Sequence, residues 1–241
     1  MEPKRPLRVA TVQPFTADLS ANIAEHARLI RIAGAEGADL GVFPELSLTG
    51  LEFDALAADP GLWLAEDDPR LEPLREACRA GGIHAVVGLP LLEAGRRYIG
   101  TLVVGPDGET VATYAKRNLH NSEEELFDTG ERQVIIDVHG WRLGLAVCLD
   151  AANPAHPKEL AEAGAEVYVL SALFSEGQED RLLDQVGVAA GCGMWVVLSQ
   201  YTGKTGGMAA FGGSGVWTPG GDAEVRLGVE FSEWAYATIT A

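Results

Sequence analysis

Short apolar runs that alternate with stretches of helical period constrain this chain more than any other feature. Residues 7–13 (LRVATVQ) alternate and read as a strand. Residues 20–35 place Ile23, Ala27, Ile30 and Gly34 on one face, with Asp18 or Ser20 as N-cap and Gly37 as a stop. Residues 40–43 are a short buried strand, and 71–80 a helix ending at Gly81-Gly82. Strands follow at 84–89, 98–104 and 110–114, the last two joined by the turn GPDG. Residues 134–138 and 142–147 form a hairpin around His139-Gly140. Beyond it come a short helix at 158–163, a strand at 167–170, a helix at 179–190, and strands at 195–199 and 234–239, with a turn TPGG before the last. The order is α/β. The strand–turn–strand units at 98–114 and 213–227 share a layout, which hints at two similar halves. No linker or low-complexity stretch divides the chain, so 1–241 reads as one domain.

Charge narrows the partners. Lys plus Arg number 18 against 35 Asp plus Glu, a formal net charge of -17. Such a chain repels phosphate backbones and anionic lipid, so neither nucleic acid nor membrane is expected as a partner. No apolar stretch reaches membrane-spanning length and the opening residues lack a signal-peptide core, so a cytoplasmic protein is expected. Cys78, Cys148 and Cys192 are odd in number and far apart, against a disulfide framework. The five histidines show no ligand spacing, and no metal site is expected. TGKTGG at 202–207 lacks the upstream glycine of a phosphate-binding loop, and GGSGV at 212–216 ends in Val216 where a serine elbow needs glycine.

Three stretches carry candidate chemistry. In GADLGVFPELSLTG, Glu45 follows a buried strand and a proline; in TYAKRNLHNSEEELFDTG, Lys116 closes a strand; in GWRLGLAVCLDAANP, an apolar run stops at Cys148. Each residue sits where a strand meets a loop, a place from which several strands can converge side chains. Taken singly, each has a plainer reading: a packing cysteine, a turn glutamate, a solvated lysine.

Together, FPELSLTG, YAKRNLH…E…F..G and LAVCLD resemble the three signature regions of the nitrilase, or carbon–nitrogen hydrolase, superfamily, in the family's order. Lys116 to Glu123 is seven residues and Glu123 to Phe127 four, with Gly130 closing the second region. The resemblance implies an α/β fold, a four-layer α-β-β-α sandwich of the nitrilase type, dimerised or further assembled as a homo-oligomer. It implies hydrolysis of a non-peptide C–N bond in a small linear amide or N-carbamoyl compound through a cysteine thioester, releasing ammonia or an amine. Glu45, Lys116 and Cys148 take the catalytic positions, with Glu123 and the Leu149 backbone N–H in support and no cofactor. Asn118, His120 and Phe174 fall where substrate contacts are common. Departures concern specificity: where many family amidases read C-Y-D-L-R-F-P-E, this chain keeps Cys148, Asp150 and Pro154 but not the Arg, Phe or Glu. A catalytically silent binding or assembly protein, or a nitrile hydrolase, are the alternatives. An α/β-hydrolase is not, since Ala146 and Asp150 stand where that nucleophile turn needs glycines.

The residue types suit the chemistry. A covalent step divides the barrier to amide hydrolysis. A free Glu is a poor base for a free Cys, by about 4 pH units or roughly 5–6 kcal/mol. A nearby Lys116 is expected to lower the thiol's pKa, and burial to raise that of Glu45.

Overall fold

The computed structural model describes residues 4–14, 17–229 and 234–241. Its strands are β1 (Leu7–Val12), β2 (Leu40–Val42), β3 (His84–Glu93), β4 (Arg96–Val104), β5 (Thr110–Ala115), β6 (Ile135–Val138), β7 (Trp141–Val147), β8 (Val167–Ala172), β9 (Trp195–Gln200), β10 (Thr202–Thr205), β11 (Met208–Phe211), β12 (Gly215–Trp217), β13 (Ala223–Arg226) and β14 (Trp234–Ile239). The α-helices are α1 (Leu19–Ala35), α2 (Phe53–Ala58), α3 (Glu72–Gly81), α4 (Ala155–Glu162) and α5 (Glu179–Gly191). Asp18 caps α1, accepting from the Ala21 N–H at 2.9 Å.

Two six-stranded sheets run β14-β1-β2-β3-β4-β5 and β6-β7-β8-β9-β12-β13. Their pairings match strand for strand. In each, an antiparallel edge is followed by two parallel pairs and then two antiparallel ones. The units at 98–114 and 213–227 occupy equivalent places, as β4–β5 and β12–β13. The repeated layout in the sequence is thus a repeated sheet plan.

Strand alternation builds the layers. On β1, Leu7 and Val9 face Leu143, Leu145 and Val197 of the other sheet, while Ala10 and Val12 face α1 and α3. On β8, Val167 and Val169 point between the sheets, and Tyr168 and Leu170 pack under α4 and α5. The result is the four-layer α-β-β-α sandwich. Both faces of the central strands are covered, which is why they read as near-continuous apolar runs. Among the described residues, no helix is long and apolar enough to cross a membrane.

At the C-terminal ends of the central strands the inter-sheet face changes from apolar to hydroxyl. Thr11 Oγ1 donates to the Leu198 carbonyl at 2.6 Å, Ser199 Oγ to Val12 at 2.7 Å and Ser171 Oγ to Phe43 at 2.8 Å. Each such bond contributes about 0.5–1.5 kcal/mol net. A single fully buried Leu or Val contributes about 1.5–3 kcal/mol. The apolar core therefore supplies the stability, and the hydroxyls set the registry of one sheet on the other.

Candidate active site

The strand ends tied by these hydroxyls carry the charged groups. Glu45 sits in the turn after β2, Lys116 immediately after β5, and Cys148 immediately after β7, opening a 3-10 turn over Cys148–Ala152. The first sheet thus supplies Glu45 and Lys116, and the second supplies Cys148.

The Glu45 turn is fixed from two sides. Tyr201 Oη donates to the Glu45 carbonyl at 2.7 Å. The Leu48 N–H donates to the Gly88 carbonyl on β3 at 3.1 Å. Gly88 leaves the space the turn needs: a Cβ there would lie 2.1 Å from the Pro44 carbonyl oxygen and 2.5 Å from the Leu46 nitrogen. Leu46, at φ 49°, and Cys148, at φ 44°, are non-glycine residues in the left-handed region, and both lie in or beside the cluster.

Lys116 is 1% exposed. Its ammonium donates to Glu45 Oε1 at 2.8 Å, Glu123 Oε1 at 2.8 Å and Glu123 Oε2 at 2.9 Å, which occupies all three of its protons. Glu123 Oε2 also accepts the His120 backbone N–H at 2.8 Å. Glu45 Oε2 is buried and has no hydrogen-bond partner of ordinary geometry. The half-buried Cys148 thiol donates to the Leu173 carbonyl at 3.7 Å, a sulfur distance.

Electrostatics follow from burial. Desolvation, reinforced by the Glu123 charge, holds the Glu45 carboxyl above its usual range, against the opposing pull of Lys116. Burial alone would depress Lys116, but Glu45, Cys148 and Glu123 together keep its ammonium above the ordinary lysine value. The Cys148 thiol is pushed up to about 12, by burial first and by Glu45 second, with Lys116 opposing. This corrects the sequence expectation in part. Glu45 rises and Lys116 pulls the thiol down, both as foreseen, but burial and the Glu45 charge outweigh that pull and leave the thiol above its free value.

The other expected residues fall differently. Asn118 donates from its backbone N–H and from Nδ2 to Asp150 Oδ1, both at 2.9 Å, and its own Oδ1 accepts from Asn153 at 3.1 Å. At rest its amide is bonded within the protein, to Asp150 and Asn153. His120 is exposed and bonded through Nδ1 to Ser122 at 2.9 Å. Phe174 is 2% exposed and packs with Leu182 and Trp217 on the helix side of the second sheet. Leu173, its neighbour, packs in the cluster between the sheets, and its carbonyl accepts from the Cys148 thiol. Leu149 is half-buried, next to Cys148 in the 3-10 turn. Tyr201 and Gly88 carry no functional signal in the sequence, and Asp150 is marked there only as a retained position of the third signature region, with no role attached. The groove lined by Leu91, Arg96, Tyr98, Thr113 and Arg132 includes none of Glu45, Lys116 or Cys148.

The fold is a four-layer α-β-β-α sandwich that gathers Glu, Lys, Glu and Cys at its strand ends, a plan shared with hydrolases of carbon–nitrogen bonds. The chain belongs to the carbon–nitrogen hydrolase family, whose model matches residues 7–241. It is similar to an amidase from Nesterenkonia sp., at 26% identity and a TM-score of 0.87, over 100% of this chain and 92% of that one. Another solved form of the Nesterenkonia sp. AN1 amidase, 26% identical with a TM-score of 0.86, covers 95% of this chain and 92% of its own; it carries acrylamide added at the active-site cysteine. A hydrolase in the pqqF 5'region of Pseudomonas protegens is 30% identical over 68% of this chain and 58% of its own length. An (R)-stereoselective amidase from Pseudomonas sp is 33% identical over 55% of this chain and 47% of its own length. The chain thus spans about half the length of these two curated relatives.

Proposed function

We propose that the chain hydrolyses the C–N bond of a small, neutral, linear amide through a thioester on Cys148, releasing ammonia or an amine. The observation that carries this reading is the buried Glu45–Lys116–Glu123 cluster, with one oxygen of Glu45 unpaired and Cys148, at the end of β7, near enough for these charges to act on its thiol.

Glu45 Oε2 takes the thiol proton as the sulfur attacks the amide carbon, forming the C–S bond and moving the C=O electron pair onto oxygen. The raised carboxyl is the better base for it. The oxyanion is met by the Leu149 N–H and the Lys116 ammonium. Since all three Lys116 protons are occupied at rest, Lys116 gives up one of its two contacts to Glu123 at that moment. Glu123 keeps the other, together with the His120 N–H. Glu45 then returns its proton to the leaving nitrogen as the C–N bond breaks. Water, deprotonated by the same carboxylate, attacks the thioester, and the thiol is regained with the acid product.

A neutral substrate fits the charge inventory. Among the described residues Lys116 is the one buried lysine or arginine, and its donors are spent on carboxylates. A carbamoyl amino acid would bring a carboxylate with no buried cation to receive it. The Nesterenkonia amidase has been solved in complex with butyramide, a short neutral amide of this kind.

The test is an ammonia-release panel of short aliphatic amides, N-carbamoyl amino acids and nitriles, with acid-quenched protein weighed for an acyl adduct. Turnover of the amides, an adduct on Cys148, and silence in Cys148→Ala are expected. Release that persists in Cys148→Ala, or no release from any member, overturns the reading.

A further inference from the structure

Behind the catalytic groups lies a second buried polar cluster that the reaction above does not use. Its centre is Asp150, which is fully buried. Its Oδ1 accepts the Arg117 N–H at 3.1 Å, the Asn118 N–H at 2.9 Å and Asn118 Nδ2 at 2.9 Å. Its Oδ2 accepts the Tyr114 hydroxyl at 2.6 Å and the Val147 N–H at 3.0 Å. Residues 114–118 bracket Lys116 on the first sheet, and Val147 precedes Cys148 on the second. One carboxylate therefore ties the lysine segment to the cysteine segment across the seam between the sheets.

Asp150 is itself held from behind. Tyr114 Oη lies 3.0 Å from His156 Nε2, and His156 Nδ1 lies 3.1 Å from Tyr168 Oη. Asp150 accepts only, so the Tyr114 proton points to it. His156 Nε2 must then carry the proton given to the Tyr114 oxygen, and Nδ1 accepts from Tyr168. Each link has one consistent direction. Burial favours the neutral form of all three: it holds His156 below its usual range, and both tyrosines well above theirs. The charged groups that act on His156 are Asp150, Arg117 and Glu159, and Arg117 is paired with Glu159 at 3.1 Å.

We propose that Asp150 is a positioning residue for the reaction, and that the chain Tyr168–His156–Tyr114 orients it so that Lys116 and Cys148 keep their relative placement. The proposal rests on the hydrolase reading and deepens it. Its reasoning is geometric. Glu45 and Lys116 belong to one sheet and are joined directly, whereas the Lys116 ammonium bonds to carboxylates and the Cys148 thiol to the Leu173 carbonyl, not to each other. Their separation depends on what ties the two segments together. The hydroxyl ties at Thr11, Ser171, Ser199 and Tyr201 act on the β1 and β2 side of the seam. Asp150 acts on the β5 and β7 side, where the lysine lies.

Two variants test it. Tyr114→Phe removes one of the five hydrogen bonds to Asp150 and cuts the link to His156. Asp150→Asn keeps the shape but turns one acceptor into a donor facing two donors. The measurements are kcat and KM for a short amide, the iodoacetamide rate at Cys148 across pH 6–9 by peptide mass mapping, and thermal melting. A misplacement approaching 1 Å costs up to about 100-fold. Tyr114→Phe is expected to lower kcat about 10- to 100-fold with KM unchanged, and to displace the Cys148 alkylation profile, while still melting cooperatively. Tyr168→Phe, two links further away, should have a smaller effect of the same kind. If Asp150→Asn does not fold, Tyr114→Phe decides. A folded Tyr114→Phe with the parent's kcat and alkylation profile overturns the proposal, as does a loss that tracks only the folded fraction. If the parent protein releases no ammonia and its Cys148 is alkylated no faster than Cys192, the hydrolase reading itself has failed, and the positioning role goes with it.

Discussion

Gly88→Ala isolates the packing that places Glu45. The change adds one methyl on β3, in a backbone conformation that any residue tolerates, so its effect is steric. The new Cβ would lie 2.1 Å from the Pro44 oxygen, 2.5 Å from the Leu46 nitrogen and 2.9 Å from the Glu45 carbonyl carbon. All three are backbone atoms, so no side chain can swing away. Restoring ordinary contact moves the turn by roughly 1 Å, a displacement that costs about 100-fold in rate when it separates catalytic groups. The Glu45–Lys116 contact of 2.8 Å would stretch out of hydrogen-bond range. Overpacking costs about 1–3 kcal/mol, or about 2–12 °C in melting temperature for a chain of this size. The assay pairs ammonia release from a short amide with thermal melting. A folded protein with kcat down about 100-fold is expected. Near-normal turnover in a folded variant refutes the claim that β3 fixes the glutamate.

Three further outcomes follow from the same geometry. Lys116→Arg keeps the charge but replaces a compact three-proton donor with a planar fork; a kcat loss on the order of 100-fold or more is expected, read by steady-state ammonia release. Glu45→Gln should abolish the fast acylation burst in rapid-mix mass spectrometry with an activated ester, whereas a full burst followed by a trapped thioester would assign thiol deprotonation to another group. His26 is held at about 4 by burial, so it is neutral when folded and takes up a proton on unfolding. Stability from this group is present above its unfolded value of 6.5 and is lost as pH falls toward 4, by up to about 3 kcal/mol in all. His26→Phe should therefore flatten urea-measured stability between pH 6.5 and 4, and an unchanged slope would contradict it.

Much of the fold is written in local pattern. The helix expected at 20–35 forms as Leu19–Ala35, and the hairpin at His139-Gly140 joins β6 to β7 because both residues take positive φ, at 54° and 82°. Expected strand ends fell within a residue or two, except at β3, which runs on to Glu93. What was missed lacked a pattern. Helix α2 has six residues, no side-chain cap bond and only Leu56 buried, too little for a helical period to register. TGKTGG contributes the turn of the β10–β11 hairpin, where Gly206 and Gly207 both take positive φ. The candidate groups stood out because their three strand-end stretches together resemble a family's signature regions, each having a plainer reading alone. Asp150, Tyr201 and Gly88 did not, since each acts on a segment distant in sequence and its role exists only once the strands are side by side.

The two matched sheet plans bear on how the chemistry is stored at rest. Glu45, Lys116 and Glu123 all come from the first half, and they complete an ion cluster in which every ammonium proton is satisfied. A buried charge cluster persists only when its members are paired in this way. Cys148 arrives from the second half and stays a neutral thiol, held at about 12. Forming a thiolate beside two buried carboxylates would be costly in the empty site. In the reaction proposed above, that cost falls when an amide carbonyl takes the electron pair and draws one Lys116 proton away from Glu123. Division of the proposed reacting groups between two sheets thus lets the charged half be stable without the proposed nucleophile, and on this reading reactivity depends on the seam. That dependence makes the seam residues, rather than the charged triad alone, the place where substitutions should separate activity from stability.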